Sequence, residues 1–338
     1  MISKQIKSIL IILFLLSLIL IISLKTFSSG QQENVKFVYI VDLNLFPTPF
    51  ISKREKHFVE LKHGLLIYES QAIFQDIIKF INQKLDFDFV VFGGNNVSEI
   101  PSVITERSNN IWHLFLDMVS EIKSNVLFVV GENEIKVQSN DELVRSLKLQ
   151  DVNSKNLWWS YKMKNYLFVG LDSLPFFYND ERLASEQLGW LNKILLENPN
   201  CITVIFSSKA LIKPNGNLLT NVQIEKFIKI IKQHQQIKLI IFGGEYLNKI
   251  TLFDGILLMF SSSPIAYPCS FKLVEISPTK IKINTLSIPL KGVIKKAEQY
   301  LVEAETAKSL FPESPKSILK YVMGNGSDLN FELNLRKR

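Results

Sequence analysis

The chain of 338 residues reads as an α/β layered protein, and three observations predict this. Short runs of β-branched and aromatic residues recur along it, apolar at consecutive positions. Longer stretches with apolar residues at helical spacing separate these runs. Most of the runs stop at Gly, Asp or Ser. A strand that is apolar on consecutive positions is buried on both faces, as central strands are when helices cover the sheet. Alternation of such strands with helices gives a layered fold whose ligand crevice lies beyond the carboxyl ends of the strands.

Taken in order, Ser8 to Leu24 is a run of Leu, Ile and Phe about 17 residues long, broken only by serines, with Lys4 and Lys7 before it and Lys25 after. It is apolar on every face and sits at the lower limit for crossing a ~30 Å hydrocarbon core, so it reads as a transmembrane anchor or a signal-peptide core. The lysine bias places the residues after about 31 outside the cytoplasm, in a membrane-tethered protein or a secreted or periplasmic one after cleavage.

Strands are expected at Phe37 to Val41, Phe87 to Phe92, Val126 to Val130, Tyr166 to Leu171, Ile202 to Phe206 and Leu239 to Phe242. Helices are expected at Gln71 to Leu85, Ile111 to Ile122, Ser185 to Leu196 and Val222 to Gln235. Asp42, Gly94, Gly131, Asp172, Ser208 and Gly244 then fall at strand ends. Shorter runs at Ile256 to Ser261, Phe271 to Ile276 and Lys280 to Leu286 predict an antiparallel edge, the last two joined across the turn-prone Ser277, Pro278 and Thr279. A helix over 292 to 310, ended by Pro312 and Pro315, precedes a short helix at Ser317 to Met323 and a basic tail at Arg336, Lys337 and Arg338. The organisation is thus an anchor or signal over 1–30, one domain over 31–290 and a C-terminal helical extension over 291–338.

Composition narrows the function classes. With 47% hydrophobic residues the chain buries a substantial core. Its net charge of +7 comes from scattered lysines, so a solvated basic surface is expected and a specific nucleic-acid partner is not. Cys201 and Cys269 are the two cysteines, open to one bridge or to two buried thiols. There is no Gly-x-Ser-x-Gly, P-loop or zinc-protease helix motif, which removes the local signatures of serine hydrolases, nucleotide triphosphatases and metalloproteases.

Five strand-end motifs occur in a recognisable order: Asp42-Leu43-Asn44, Gly93-Gly94-Asn95-Asn96, Gly131-Glu132-Asn133-Glu134, Ser207-Ser208-Lys209 and Gly243-Gly244-Glu245. Two more stretches accompany them, Trp159-Ser160-Tyr161 leading into Gly170-Leu171-Asp172-Ser173, and Gln187-Leu188-Gly189-Trp190-Leu191. Over residues 35 to 290 this series resembles the calcineurin-like metallophosphoesterases, including their purple acid phosphatase branch. The resemblance implies a layered β-sandwich core flanked by helices. It also implies a two-metal site in which paired cations clamp a phosphoryl group and lower the pKa of a bridging water.

At the family's ligand positions the sequence departs from the pattern. Asp42 matches the first aspartate. Asn44 stands for a histidine, Asn95 for the bridging aspartate, Glu132 for an asparagine, Asn133 for a histidine, Ser208 for a histidine and Glu245 for another, with Leu247 at the last. Glu134 is family-like, in a role that supports the ligands. His57, His63, His113 and His234 all lie away from these positions.

An amide oxygen is a poor substitute for imidazole on a transition metal, and loss of one or two ligands or their supports costs about 10 to 100-fold. The resemblance therefore implies an inactive relative that acts as a binding or assembly module through an unknown protein partner. The alternative is an active phosphoesterase in which the residual oxygens of Asp42, Asn44, Asn95, Glu132, Asn133 and Glu245, with Glu134, form an oxygen-only cluster that holds a single Mg²⁺ or Ca²⁺. The competing reading of Glu132 and Glu245 is solvation or pairing with lysines such as Lys136 and Lys209.

Overall fold

The computed structural model describes residues 34–46, 64–99, 105–148, 152–154 and 156–335. The run from Ser8 to Leu24, with His57, His63 and the last three basic residues, lies outside them. Among the described residues no helix is long and apolar enough to cross a membrane.

Two sheets carry the fold. The first has six strands: β1 (Val35–Ile40), β2 (Phe89–Phe92), β3 (Asn125–Phe128), β11 (Ser270–Ser277), β12 (Lys280–Ser287) and β13 (Asn330–Asn334), ordered β13-β12-β11-β1-β2-β3. The second has seven: β4 (Asn153–Ser154), β5 (Trp159–Met163), β6 (Tyr166–Leu171), β7 (Ile202–Ser207), β8 (Ile237–Phe242), β9 (Lys249–Phe253) and β10 (Ile256–Phe260), ordered β4-β5-β6-β7-β8-β10-β9. β1, β2 and β3 run parallel, as do β6, β7, β8 and β10.

The sheets face each other across an aromatic layer. Phe37 of β1 meets Phe168 of β6 and Phe206 of β7 edge-on, at 5.8 and 5.6 Å between ring centroids. Phe89 meets Phe168 at 4.9 Å. Trp159 crosses from one sheet to the other, its Nε1 donating to the carbonyl of Phe128 at 2.8 Å, so the indole is buried with its polar edge satisfied.

Helices cover the outer faces. On the first sheet, α1 (Ser70–Lys84) and α2 (Thr105–Ser120) pack Phe74 against Phe92 and Trp112 against Phe128. Two short helices follow β3, α3 (Glu132–Val137) and α4 (Asn140–Lys148). On the second sheet, α5 (Leu174–Phe177), α6 (Glu181–Glu197) and α7 (Val222–Gln233) form the cover. Asp180 caps α6 by accepting from Leu183 N, and Asn221 caps α7 by accepting from Gln223 N and Ile224 N, which satisfies donors that a helix start otherwise leaves open. The whole is a β-sandwich between helical layers, as expected.

Three details differ from expectation. The helix over 292–310 is two helices, α8 (Lys291–Glu303) and α9 (Glu305–Leu310), because Ala304 is extended at ψ 150°. β10 is not grouped with β11 and β12; it lies inside the second sheet, parallel to β8 and antiparallel to β9. β11 and β12 do form a hairpin, but β11 pairs with β1 and β12 is covered by β13, so the edge is β13. The C-terminal segment, with α10 (Ser317–Met323) and α11 (Gly326–Leu329), thus returns to complete the first sheet.

Candidate functional site

The parallel strands bring their carboxyl ends together at one end of the sandwich. The backbone there is tightly turned. Asp42, Asn44, Asn95 and Tyr246 all adopt positive φ, at 53°, 44°, 49° and 53°, a region that non-glycine residues enter at a cost and that concentrates at functional sites. Gly94, at φ 101°, has no room for a side chain, since a Cβ would sit 2.4 Å from Ser208 Cβ.

Asp42 is fully buried. Its Oδ1 accepts from Asn95 Nδ2 at 3.0 Å and its Oδ2 from Gly244 N at 2.8 Å. Its main-chain carbonyl accepts from Asn44 Nδ2 and from Ser263 Oγ, at 2.9 and 2.7 Å. Burial pushes the carboxyl up to about 7, against the two hydrogen bonds to its oxygens, and the carboxylates of Glu134 and Glu245 push the same way.

Asn44, Asn95 and Asn133 interlock. Asn133 Nδ2 donates to Asn44 Oδ1 at 2.9 Å, and Asn133 N donates to Asn95 Oδ1 at 3.3 Å. Asn44 Nδ2 also donates to Tyr246 Oη at 3.2 Å. Four of the sequence-predicted positions are therefore in direct contact. The amide oxygens of Asn44 and Asn95 are both taken by Asn133, through its Nδ2 and its main-chain N.

Glu134 supports them from beneath. Fully buried, it accepts four backbone N–H groups: Asn96 at 2.5 Å and Val97 at 3.3 Å on Oε1, and Gly131 at 2.7 Å and Asn95 at 3.1 Å on Oε2. Burial nonetheless raises its pKa. The carboxylate ties the loop after β2 to the loop after β3.

The remaining positions point elsewhere. Glu132 turns to Lys209, 2.6 Å away, and to Lys136 at 3.3 Å. Lys209, then Tyr178, hold its carboxyl down to about 2. Ser208 is buried, donating to the carbonyl of Val130 at 3.0 Å and lying 2.9 Å from Ser173 Oγ. Glu245 is exposed at the mouth and Leu247 is buried. His113 is exposed on α2, and His234 closes α7 against Asn192 Oδ1 at 2.8 Å, its pKa lowered by burial. Cys201 and Cys269 are buried free thiols.

The sequence reading missed Ser263 and Tyr246, because neither stands in a motif. It also missed what Gln187 does. Fully buried on α6, Gln187 accepts from Asp172 N at 2.8 Å and donates to Asp172 O at 2.7 Å. The Gln-Leu-x-Trp-Leu element is thereby a clamp on the end of β6.

This donor set does not fit a dimetal centre. No imidazole stands in it, both oxygens of its one ligand-type carboxylate accept hydrogen bonds, and the bridging position supplies a carboxamide that donates to that carboxylate. Among the described residues no three His, Cys, Asp or Glu side chains come together as a metal-binding group.

No family model matches the sequence. No curated protein matches it. Solved structures do. A dimetal phosphatase from Danio rerio superposes with a TM-score of 0.57 at 14% identity, over 75% of this chain and 98% of that one. GAP50, described as the anchor in the inner membrane complex of Plasmodium, superposes with a TM-score of 0.50 at 10% identity, over 80% of this chain and 94% of that one. The chain has the calcineurin-like metallophosphoesterase fold.

Proposed function

We propose that this chain is a non-catalytic descendant of the phosphoesterase fold, tethered to the outer face of a membrane or secreted, that works as a binding or assembly module. One observation carries the reading. At the strand ends, hydrogen bonds from Asn95 and Gly244 satisfy the oxygens of Asp42 where the fold's active members need cations. Two-metal catalysis depends on a negatively charged bridge and open coordination positions, and the Asn44 and Asn95 amides, uncharged and with their oxygens taken by Asn133, supply neither.

The tether rests on the apolar run from Ser8 to Leu24 with its flanking lysines. That the Plasmodium protein is described as the anchor in the inner membrane complex agrees with an assembly role for this fold. On this reading residues 1–30 anchor or export the chain and 31–290 form the phosphoesterase-like body, to which 291–338 adds helices and the edge strand β13. The partner is a protein.

Calorimetric titration with Mn²⁺, Mg²⁺ and Ca²⁺, followed by a chromogenic phosphodiester assay in each metal, tests this. The expected result is no stoichiometric binding at the strand ends and no turnover. Metal-dependent hydrolysis that disappears in Asp42→Ala overturns the proposal in favour of an active enzyme with a single oxygen-bound ion.

A further inference from the structure

Two stretches of the chain have the form Asn-x-Ser or Asn-x-Thr with x other than Pro: Asn96-Val97-Ser98 and Asn325-Gly326-Ser327. This is the acceptor sequence for N-linked glycosylation, which in a secreted chain belongs on a surface loop. The structure separates the two.

Asn96 is fully buried, in the loop that Glu134 ties down. Its main-chain N donates to Glu134 Oε1 at 2.5 Å, and its Nδ2 donates to the carbonyl of Val129 at 3.5 Å. Its Oδ1 is closed in without a partner, and Ser98 is buried as well. A glycan on Asn96 has no way out of the fold. Attached before folding, it keeps the loop after β2 from reaching Glu134.

Asn325-Gly326-Ser327 is the reverse case. All three residues are exposed, and a Cβ built on Gly326 meets nothing within 4 Å. The knuckle they form is fixed at both ends. Before it, Gly324 turns the chain at φ 76°, where a Cβ would come within 2.4 Å of Asn248 O. After it, the buried Asp328 accepts from Asn325 N and Ile250 N at 2.9 Å each. The hold runs through the main chain and through Asp328, so a substituent on Asn325 Nδ2 displaces none of it. There is room beside it too: Asn325 lines a cavity of about 420 Å³ with Tyr321, which is 51% exposed.

We propose that Asn325 carries an N-linked glycan and that Asn96 does not. In the transfer, Asn325 Nδ2 gives up one proton and bonds to the anomeric carbon of a polyprenyl-diphosphate-linked oligosaccharide, on a membrane-bound oligosaccharyltransferase. The bond from that carbon to the diphosphate oxygen breaks, and the lipid diphosphate leaves with the electron pair. This rests on the outward placement of the residues after about 31, because the sugar donor is presented on the far side of the membrane from the cytoplasm.

The test translates the full chain in the presence of endoplasmic-reticulum microsomes and reads gel mobility before and after treatment with peptide-N-glycosidase. The parent is expected to show the shift of one glycan, lost in Asn325→Gln and in Ser327→Ala and kept in Ser98→Ala. Ser327→Ala leaves Asn325 and its main-chain bonds in place, so loss of the shift there is not a folding defect. Asn217→Thr, which makes an acceptor of the exposed Asn215, is combined with Asn325→Gln to report orientation alone. A shift in that double variant with none in the parent overturns the assignment of Asn325 and leaves the outward placement standing. No shift in either overturns both. A parent shift that survives Asn325→Gln and disappears in Ser98→Ala moves the glycan to Asn96 and overturns the proposal, as does a parent that carries two.

Discussion

Asn95 is the residue on which the strand-end cluster turns. Its Nδ2 donates to Asp42 Oδ1, and its Oδ1 receives the N–H of Asn133. Asn95→Asp, which restores the family's acidic bridge, sets a second carboxylate about 3 Å from the first in a buried setting, where like charges cannot both ionise cheaply. Protonation of one of them removes the repulsion and returns an O–H donor to Asp42. The variant is therefore expected to melt several degrees below the parent at pH 8 and to recover much of the gap at pH 5, as read by circular dichroism. An equal deficit at both pH values refutes the electrostatic account. Glu134→Gln tests the layer beneath. The amide keeps one oxygen for two of the four backbone N–H groups and turns an NH₂ toward the others. Its unfolding free energy in urea is expected to fall by about 2–4 kcal/mol, the scale set by stranding buried donors. These two residues also mark the limit of sequence reading at the site. The order of the motifs placed Asp42, Asn44, Asn95 and Asn133 at strand ends, and the structure brings them into contact. Which amide bonds to which was not legible, because each bond joins loops that follow different strands.

At the scale of elements, legibility followed burial. β6, apolar at every position, was read from the sequence with the ends the structure gives it. β13 alternates between exposed and half-buried positions and β9 buries a single residue, Ile250, so neither carries a buried apolar run to distinguish it from a loop. The break at Ala304 escaped for a related reason, since neither Gly nor Pro marks it and the helical apolar spacing continues across it. The Trp159 clamp depends on a feature of β6 that pattern reading passes over. Gly170 lies directly under the indole, and a Cβ there would come within 2.2 Å of the ring. Gly170→Ala must displace the tryptophan and stretch its 2.8 Å bond to Phe128 O, which spans the two sheets. A loss of about 2–3 kcal/mol in unfolding free energy is expected, with a shift in tryptophan emission. Gly189→Ala, where nothing lies within 4 Å, is the control and is expected to be neutral or slightly stabilising.

For the whole molecule, the informative charge lies on β11, beside β1, where Lys272 is paired in register with Tyr39. Lys272 on β11 is fully buried, with Nζ donating to Thr285 Oγ1 at 2.6 Å and to the carbonyl of Asp328 at 3.4 Å. Asp328 in turn accepts from Ile250 N and Asn325 N at 2.9 Å each. The lysine therefore sits at the junction where the C-terminal segment closes over the first sheet and meets β9 of the second. Burial lowers its pKa to about 7, partly offset by Asp328. In the unfolded chain a lysine titrates near 10.4. Between these values the unfolded state binds the extra proton, so stability rises with pH from about 7 to about 10, and below pH 7 the folded state carries the whole cost of a buried ammonium. Lys272→Met removes that cost while filling the same volume, at the loss of one donor to Thr285. Relative to the parent, the variant is expected to be most favourable near pH 6 and to lose that advantage by pH 9. The swing is on the order of 2–4 kcal/mol in urea-derived free energies measured across the series. Parallel pH profiles for the two proteins would mean that Lys272 stays charged inside the fold. The Asp328 junction would then be an ion pair that fastens the C-terminal segment to the sandwich, and Asp328→Asn, not Lys272→Met, would be the change that loosens it.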